Sequence, residues 1–279
     1  MASSVFKSQW KGSLLLVFFF LSIIGCTDDE TSGNDQNRLV YYVCATCKTQ
    51  PEALPENDQS FKGIYSGVVN NDIVAFNIDN NNDDVVRLTV MRGEQVSEFS
   101  LMDQWKDGHK YYAVFRGRFS YGHHELPAFN VIFSVEMDGE NPTVVFSDEA
   151  MFRTQTALNI FKEKSTSMVE VFSGELSRRK NNLGNIENGK VGVEDDVTIV
   201  NVGTQRMVLS RSEGYWYSYG LLNNEEGNGK ALFNNGTIVN NKLVDQQGKV
   251  VGTLIHDYFS GKSTDVGDEV INITAKRVI

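Results

Sequence analysis

Read along the chain, apolar and polar residues alternate with a period of two. Phe129, Val131, Phe133, Val135 and Met137 alternate with Asn130, Ile132, Ser134 and Glu136, and Tyr111, Ala113, Phe115, Gly117 and Phe119 with Tyr112, Val114, Arg116 and Arg118. Successive side chains of a strand point to opposite faces, so this pattern predicts half-buried strands. Similar runs occupy 64–69, 73–78, 85–91, 168–176, 197–202, 206–211, 214–219, 250–256 and 270–278. Turn-forming clusters separate them: Asn80-Asn81-Asn82-Asp83-Asp84, Asp138-Gly139 and Asn234-Asn235-Gly236. Short strands punctuated in this way predict a mostly β chain, an antiparallel barrel or sandwich.

One stretch departs from the period. Residues 149–163, EAMFRTQTALNIFKE, lack Gly and Pro and place Ala150, Ala157, Leu158 and Phe161 toward one side of a short helix, with a pair of strands as the competing reading. Two parts of the chain also echo each other. Ile64-Tyr65-Ser66-Gly67 returns as Val171-Phe172-Ser173-Gly174, and Leu176-Ser177-Arg178-Arg179 as Thr274-Ala275-Lys276-Arg277. With the polar stretch 180–190 as a joint, two β subdomains are expected, over 61–180 and 181–279.

The first residues change the picture from fold to address. Lys7 and Lys11 precede an apolar run from Leu14 to Ile24, of the length of an export signal and short for a membrane span. Ile23, Ile24 and Gly25 before Cys26 resemble the lipobox of bacterial lipoproteins. The resemblance implies cleavage after Gly25 and acylation of Cys26, hence a membrane partner through a lipid anchor; several acyl chains hold more firmly than one. The acidic run Thr27-Asp28-Asp29-Glu30 resembles the signal that carries lipoproteins of certain diderm bacteria to the outer face of the outer membrane. Residues 26–60, polar and carrying Pro51 and Pro55, read as a tether, with Leu39 to Val43 as a candidate docked strand. The phrases FKGIYSG (61–67) and GKVVGT (248–253) resemble uncharacterised β-rich surface lipoproteins with a lipocalin-like, calycin-type outline, which implies two calycin-like subdomains and carries no activity.

Charge narrows the partners. The chain carries −10, and removal of a leader with two lysines and no acid takes it to −12. A phosphate-backbone binder needs clustered cations. The densest cluster is Arg178-Arg179-Lys180, so nucleic acid is not an expected partner.

Candidate chemistry is sparse. Cys44-Ala45-Thr46-Cys47-Lys48 fits a structural disulfide first, with redox exchange or metal or haem attachment as alternatives; Lys48 stands where haem attachment usually needs His. His123-His124-Glu125 places two imidazoles on opposite strand faces, and with His109 and His256 elsewhere no ligand set forms. Asp79-x-Asn81-x-Asp83 opens like a calcium loop, but Asp84 replaces the Gly and Val90 the bidentate Glu. The nucleophile elbow and HExxH are absent, so no catalytic residue, metal or cofactor is assigned. Tyr215, Tyr217 and Tyr219 share one strand face and are the candidate ligand-binding row, the barrel interior being preferred for them over an exposed stacking platform, with Trp216 opposite. The expected function is a surface-tethered, non-catalytic binding or structural lipoprotein engaging a glycan, an envelope protein or a small apolar ligand. The rivals are a glycan hydrolase with acids on separate strands and a thiol protein using Cys44 and Cys47.

Overall fold

The alternation survives folding as burial. In a computed structural model, Tyr111, Ala113 and Phe115 are buried and Arg116 is exposed; Val131, Phe133 and Val135 are buried while Ile132 faces solvent. The structure describes residues 42–279 apart from 70–72, 83–84, 94, 122–123, 126, 149–152, 158, 182–196, 224–229 and 267–268. Cys26 and His123 lie outside the described residues, as do parts of the polar joint.

The first β unit comprises β1 (Gly63–Val68), β2 (Ile73–Asn80), β3 (Arg87–Arg92), β4 (Gln95–Asp107), β5 (Lys110–Gly117), the short hairpin β6 (Ser120–Tyr121) and β7 (His124–Glu125), β8 (Phe129–Glu136), β9 (Thr143–Asp148), β10 (Arg153–Thr156) and β11 (Asn159–Glu163). Its antiparallel sheet runs in the order β10-β9-β8-β5-β4-β3-β2-β1-β11 and curls into a nearly closed barrel. Rings from distant strands meet inside it: Tyr65 lies 4.9 Å from Phe133, and Phe76 lies 5.8 Å from Phe146. With Phe99, Phe115 and Phe119 they fill the lumen as one continuous core.

The helix considered for 149–163 is not formed. Arg153–Thr156 pairs with β9 and Asn159–Glu163 with β1, in a register that sets Lys162 against Tyr65 and Phe161 against Ser66. The β-branched and aromatic residues Thr154, Thr156, Ile160 and Phe161 suit a pleated surface. The open edges of β9 and β1 supply ladder hydrogen bonds that a helix would leave unmade.

The second unit is a closed eight-stranded barrel: β12 (Glu170–Asn181), β13 (Val197–Ser210), β14 (Tyr215–Leu222), β15 (Lys230–Val239), β16 (Lys242–Asp245), β17 (Val250–Ile255), β18 (Tyr258–Val266) and β19 (Glu269–Arg277). It begins at Glu170, so the expected boundary at 180/181 is displaced. The cause is closure, since β12 bonds to β13 on one side and β19 on the other. The echoed IYSG and VFSG lie on β1 and β12, the first strand of each unit. A side chain at Gly174 would have its Cβ 1.8 Å from the Thr274 carbonyl oxygen, so only glycine allows the close approach there.

Val40–Ile279 clusters as one compact unit. Val68 and Ala75 from the first β unit pack with Val171 and Val208 from the second and with Val169 just before it, which is why both faces of β1 are buried.

The expected tether to residue 60 is also corrected. From Cys44 the chain is bound to the body: the Cys44 N–H donates to Asp257 at 2.9 Å, Arg277 to the Lys48 carbonyl at 2.7 Å, and the Lys162 ammonium to the carbonyls of Asn57, Asp58 and Ser60 at 2.6, 3.1 and 2.5 Å. Ala53 and Asn57 are buried. A polar composition reads as linker only while its polar groups face water, and here they bond to β11 and to the barrel end. Tyr42 and Val43 join no strand; the Tyr42 ring lies 5.1 Å from the Lys276 ammonium.

Candidate functional site

The two lumens differ in what fills them. Where the first barrel is packed with phenylalanine, the second presents Met207 from β13, Trp216 and Ser218 from β14, Leu232 and Asn234 from β15, Phe259 from β18 and Ile273 from β19 around a cavity of about 230 Å³. Alternation dictates the set, because residues two apart on each strand face the same side. The Trp216 indole N–H donates to the Val244 carbonyl at 3.2 Å, which fixes the largest lining ring.

Polar groups punctuate this wall. Gln205 and Ser218 are buried, at 4% and 5% exposure, and with Asn234 they line the cavity without a side-chain hydrogen bond to another described residue. A Cβ at Gly220 would stand 2.5 Å from Gln205 Oε1, so the glycine makes room for the amide. Buried amides and hydroxyls that face a lumen are available to a guest, because leaving them unbonded is costly. Among the described residues Lys262, exposed at the rim, is the one charged side chain of the lining, and no carboxylate contributes to it.

The barrel end away from Lys262 carries a buried ion network. Glu170 holds Arg211 at 2.6 Å and Arg277 at 3.2 Å; Arg277 also reaches Asp257 at 3.3 Å, and Arg211 donates to the His256 carbonyl. This network is tied to the Cys44–Lys48 segment through Asp257 and Arg277.

The tyrosine row is placed opposite to expectation. Trp216 and Ser218 point into the lumen, so Tyr215, Tyr217 and Tyr219 lie on the outer wall of the barrel. Period two defines two faces of β14 but not which one closes inward; the face with the smaller Ser218 and Gly220 does so, because a small barrel has little interior to fill. Tyr215 packs on Phe161 of β11, ring centroids 4.8 Å apart, and its hydroxyl bonds to Glu213, which pairs with Lys164 at 2.9 Å. Burial, aided by Glu213, pushes the Tyr215 phenol well above its ordinary range. Tyr217 packs against the cluster containing Val68, Val169 and Val208, and Tyr219 is buried.

Cys44 and Cys47 form a disulfide, Cα atoms 5.4 Å apart. Asp79 and Asn81 shape a turn, the Asp79 carboxylate accepting from the Asn81 N–H at 3.0 Å; Asn81 in turn donates to the Glu52 carbonyl, and Asn57 to the Asn81 carbonyl, both at 3.1 Å. The described part of the Asp79-x-Asn81 spacing therefore docks the 52–57 segment. Asp83 lies outside the described residues, among which no group of three His, Cys, Asp or Glu is placed to hold a metal. Gln205 and Ser218 carried no signal in the sequence, since isolated polar residues in strands are ordinary. The expected turn at Asn234-Asn235-Gly236 is corrected: these residues lie inside β15, paired with β14, and the chain turns instead at Asn240-Asn241, both with positive φ. Comparison with family models, curated proteins and solved structures finds no match for this chain.

Proposed function

We propose that this chain is a lipid-anchored, non-catalytic binding protein of the outer membrane that holds a small, mainly apolar molecule with hydrogen-bonding groups in the lumen of its second barrel. The anchor rests on the lipobox-like residues ending at Cys26, and display at the cell surface on the acidic run after it. The binding reading rests on one observation: a lumen walled by Met207, Trp216, Phe259 and Ile273 and punctuated by Gln205, Ser218 and Asn234. Apolar walls with a few placed polar groups are the usual make-up of a small-molecule site. The cavity volume sets the guest at about one or two fused rings or a short chain.

The test uses the chain from Thr27 to Ile279, with Trp105 replaced by Phe so that the emission of Trp216 alone is read. Titration with 1-aminonaphthalene, a two-ring probe, should quench that emission saturably. Ser218→Leu, which fills the lumen, should abolish quenching and leave the melting temperature unchanged or raised. A parent that does not saturate, or a Ser218→Leu protein that binds as well as the parent, would refute the lumen as a binding site.

A further inference from the structure

A second cavity lies outside the barrel, where β11 meets the outer wall of β14 and β15. Its volume is about 580 Å³, and Phe161, Tyr215 and Tyr217 supply its aromatic surface while Asn235, Asp245 and Gln246 supply hydrogen-bonding groups. Tyr217 and Asn235 are direct cross-strand partners, as are Tyr215 and Thr237. An aromatic ring beside a small polar side chain therefore repeats at two same-face positions, roughly 7 Å apart along the strand. Both backbone N–H groups that reach the Asp245 carboxylate, from Gln247 at 3.0 Å and Lys249 at 2.8 Å, fall on Oδ1, so the group is held in place while Oδ2 receives neither bond. The side chains of Asn235 and Gln246 bond to no other described residue.

Among the described residues no lysine or arginine lines this cleft, and the chain as a whole is acidic. Anionic ligands such as phosphates find no cation here. Long apolar chains find too many amides and a carboxylate, whose desolvation would cost more than the contact returns. What remains is a neutral ligand with flat C–H faces for the rings and vicinal hydroxyls for planar amide and carboxylate groups. From this chemistry we propose that the cleft binds a neutral oligosaccharide, two sugar units spanning the repeated aromatic and polar pairs. Among the described residues Trp216 borders both cavities and the rest of this lining is distinct from that of the lumen, so the site does not depend on the function proposed above.

Isothermal titration of the full chain, purified in detergent, with maltotriose, cellotriose, mannotriose and xylotriose tests it. At least one sugar should bind saturably. Asn235→Ala and Asp245→Asn should each weaken that sugar about tenfold, the scale of one lost hydrogen bond to a charged or planar polar group, without moving the melting temperature. Tyr217→Ala should weaken it further; because that residue also packs in the seam, the exposed Asn235 carries the decision. Ser218→Leu, which fills the lumen, should leave the affinity unchanged. Absence of binding by all four sugars, an affinity equal to the parent's in the two polar variants, or loss of sugar binding in Ser218→Leu would each overturn the assignment, the last by placing the sugar in the lumen.

Discussion

The ammonium of Lys48 lies 2.6 Å from the carboxylate of Glu163, and that carboxylate is fully buried. Glu163 also accepts from the N–H groups of Glu52 at 2.6 Å, Ala53 at 3.1 Å and Val169 at 3.4 Å. One side chain at the end of β11 thus gathers the N-terminal segment and the start of the second barrel. A carboxylate can be buried so deeply only because several donors replace its water.

Replacing Lys48 by Met should destabilise the protein by about 3 kcal/mol, the scale for leaving one buried charge without its ionic partner. Chemical denaturation reads this as a lower midpoint at unchanged slope. A midpoint within error of the parent would show that the backbone donors alone satisfy Glu163.

The Cys44–Cys47 bridge closes a loop with a sequence separation of 3. So short a loop restrains little of the unfolded chain, and its loss should cost about 2 kcal/mol. The double Cys→Ser protein should therefore still unfold cooperatively, because both barrel cores are intact without it. Limited proteolysis should now cut between residues 44 and 60, where the segment loses its fixed start. Loss of cooperativity would mean that the segment is needed for the barrels themselves.

Trp216 and Tyr217 are neighbours on β14 that face opposite sides of the barrel wall. Trp216→Ala removes a buried lumen ring and should cost about 3–5 kcal/mol. Tyr217→Ala trims a half-buried ring in the seam and should cost about 2 kcal/mol. Thermal melts of the pair decide the order, and a larger loss for Tyr217 would put the seam, not the lumen, at the centre of the stability of the chain.

Metabolic labelling with an alkyne analogue of palmitate should mark the parent protein and not Cys26→Ser. Equal labelling of the two would remove the lipid anchor from the proposed function.

Much of this molecule was legible residue by residue. Alternation at Tyr111–Phe119 and Phe129–Met137 determined strands, and Asn81-Asn82 and Asp138-Gly139 determined turns, because side-chain periodicity and turn chemistry are local properties of the chain. Asn234-Asn235-Gly236 carries the same local signal yet is held in β15 by pairing with β14 and β16. The same holds for the CxxC pair, close enough in sequence to bridge. What only the tertiary structure decided is which face of a strand turns inward and which distant groups meet. Nothing local distinguishes the Tyr215–Tyr217–Tyr219 face of β14 from the Trp216–Ser218 face; barrel closure does, by admitting the face with less volume. The strands at 153–163 depend on the free edges of β9 and β1, supplied by residues far away in the chain. Lys48, Glu163, Arg277 and Asp257 look like ordinary surface charges in the sequence. Their pairing is a matter of burial, which only the folded chain sets by excluding the water that would otherwise have solvated each of them separately.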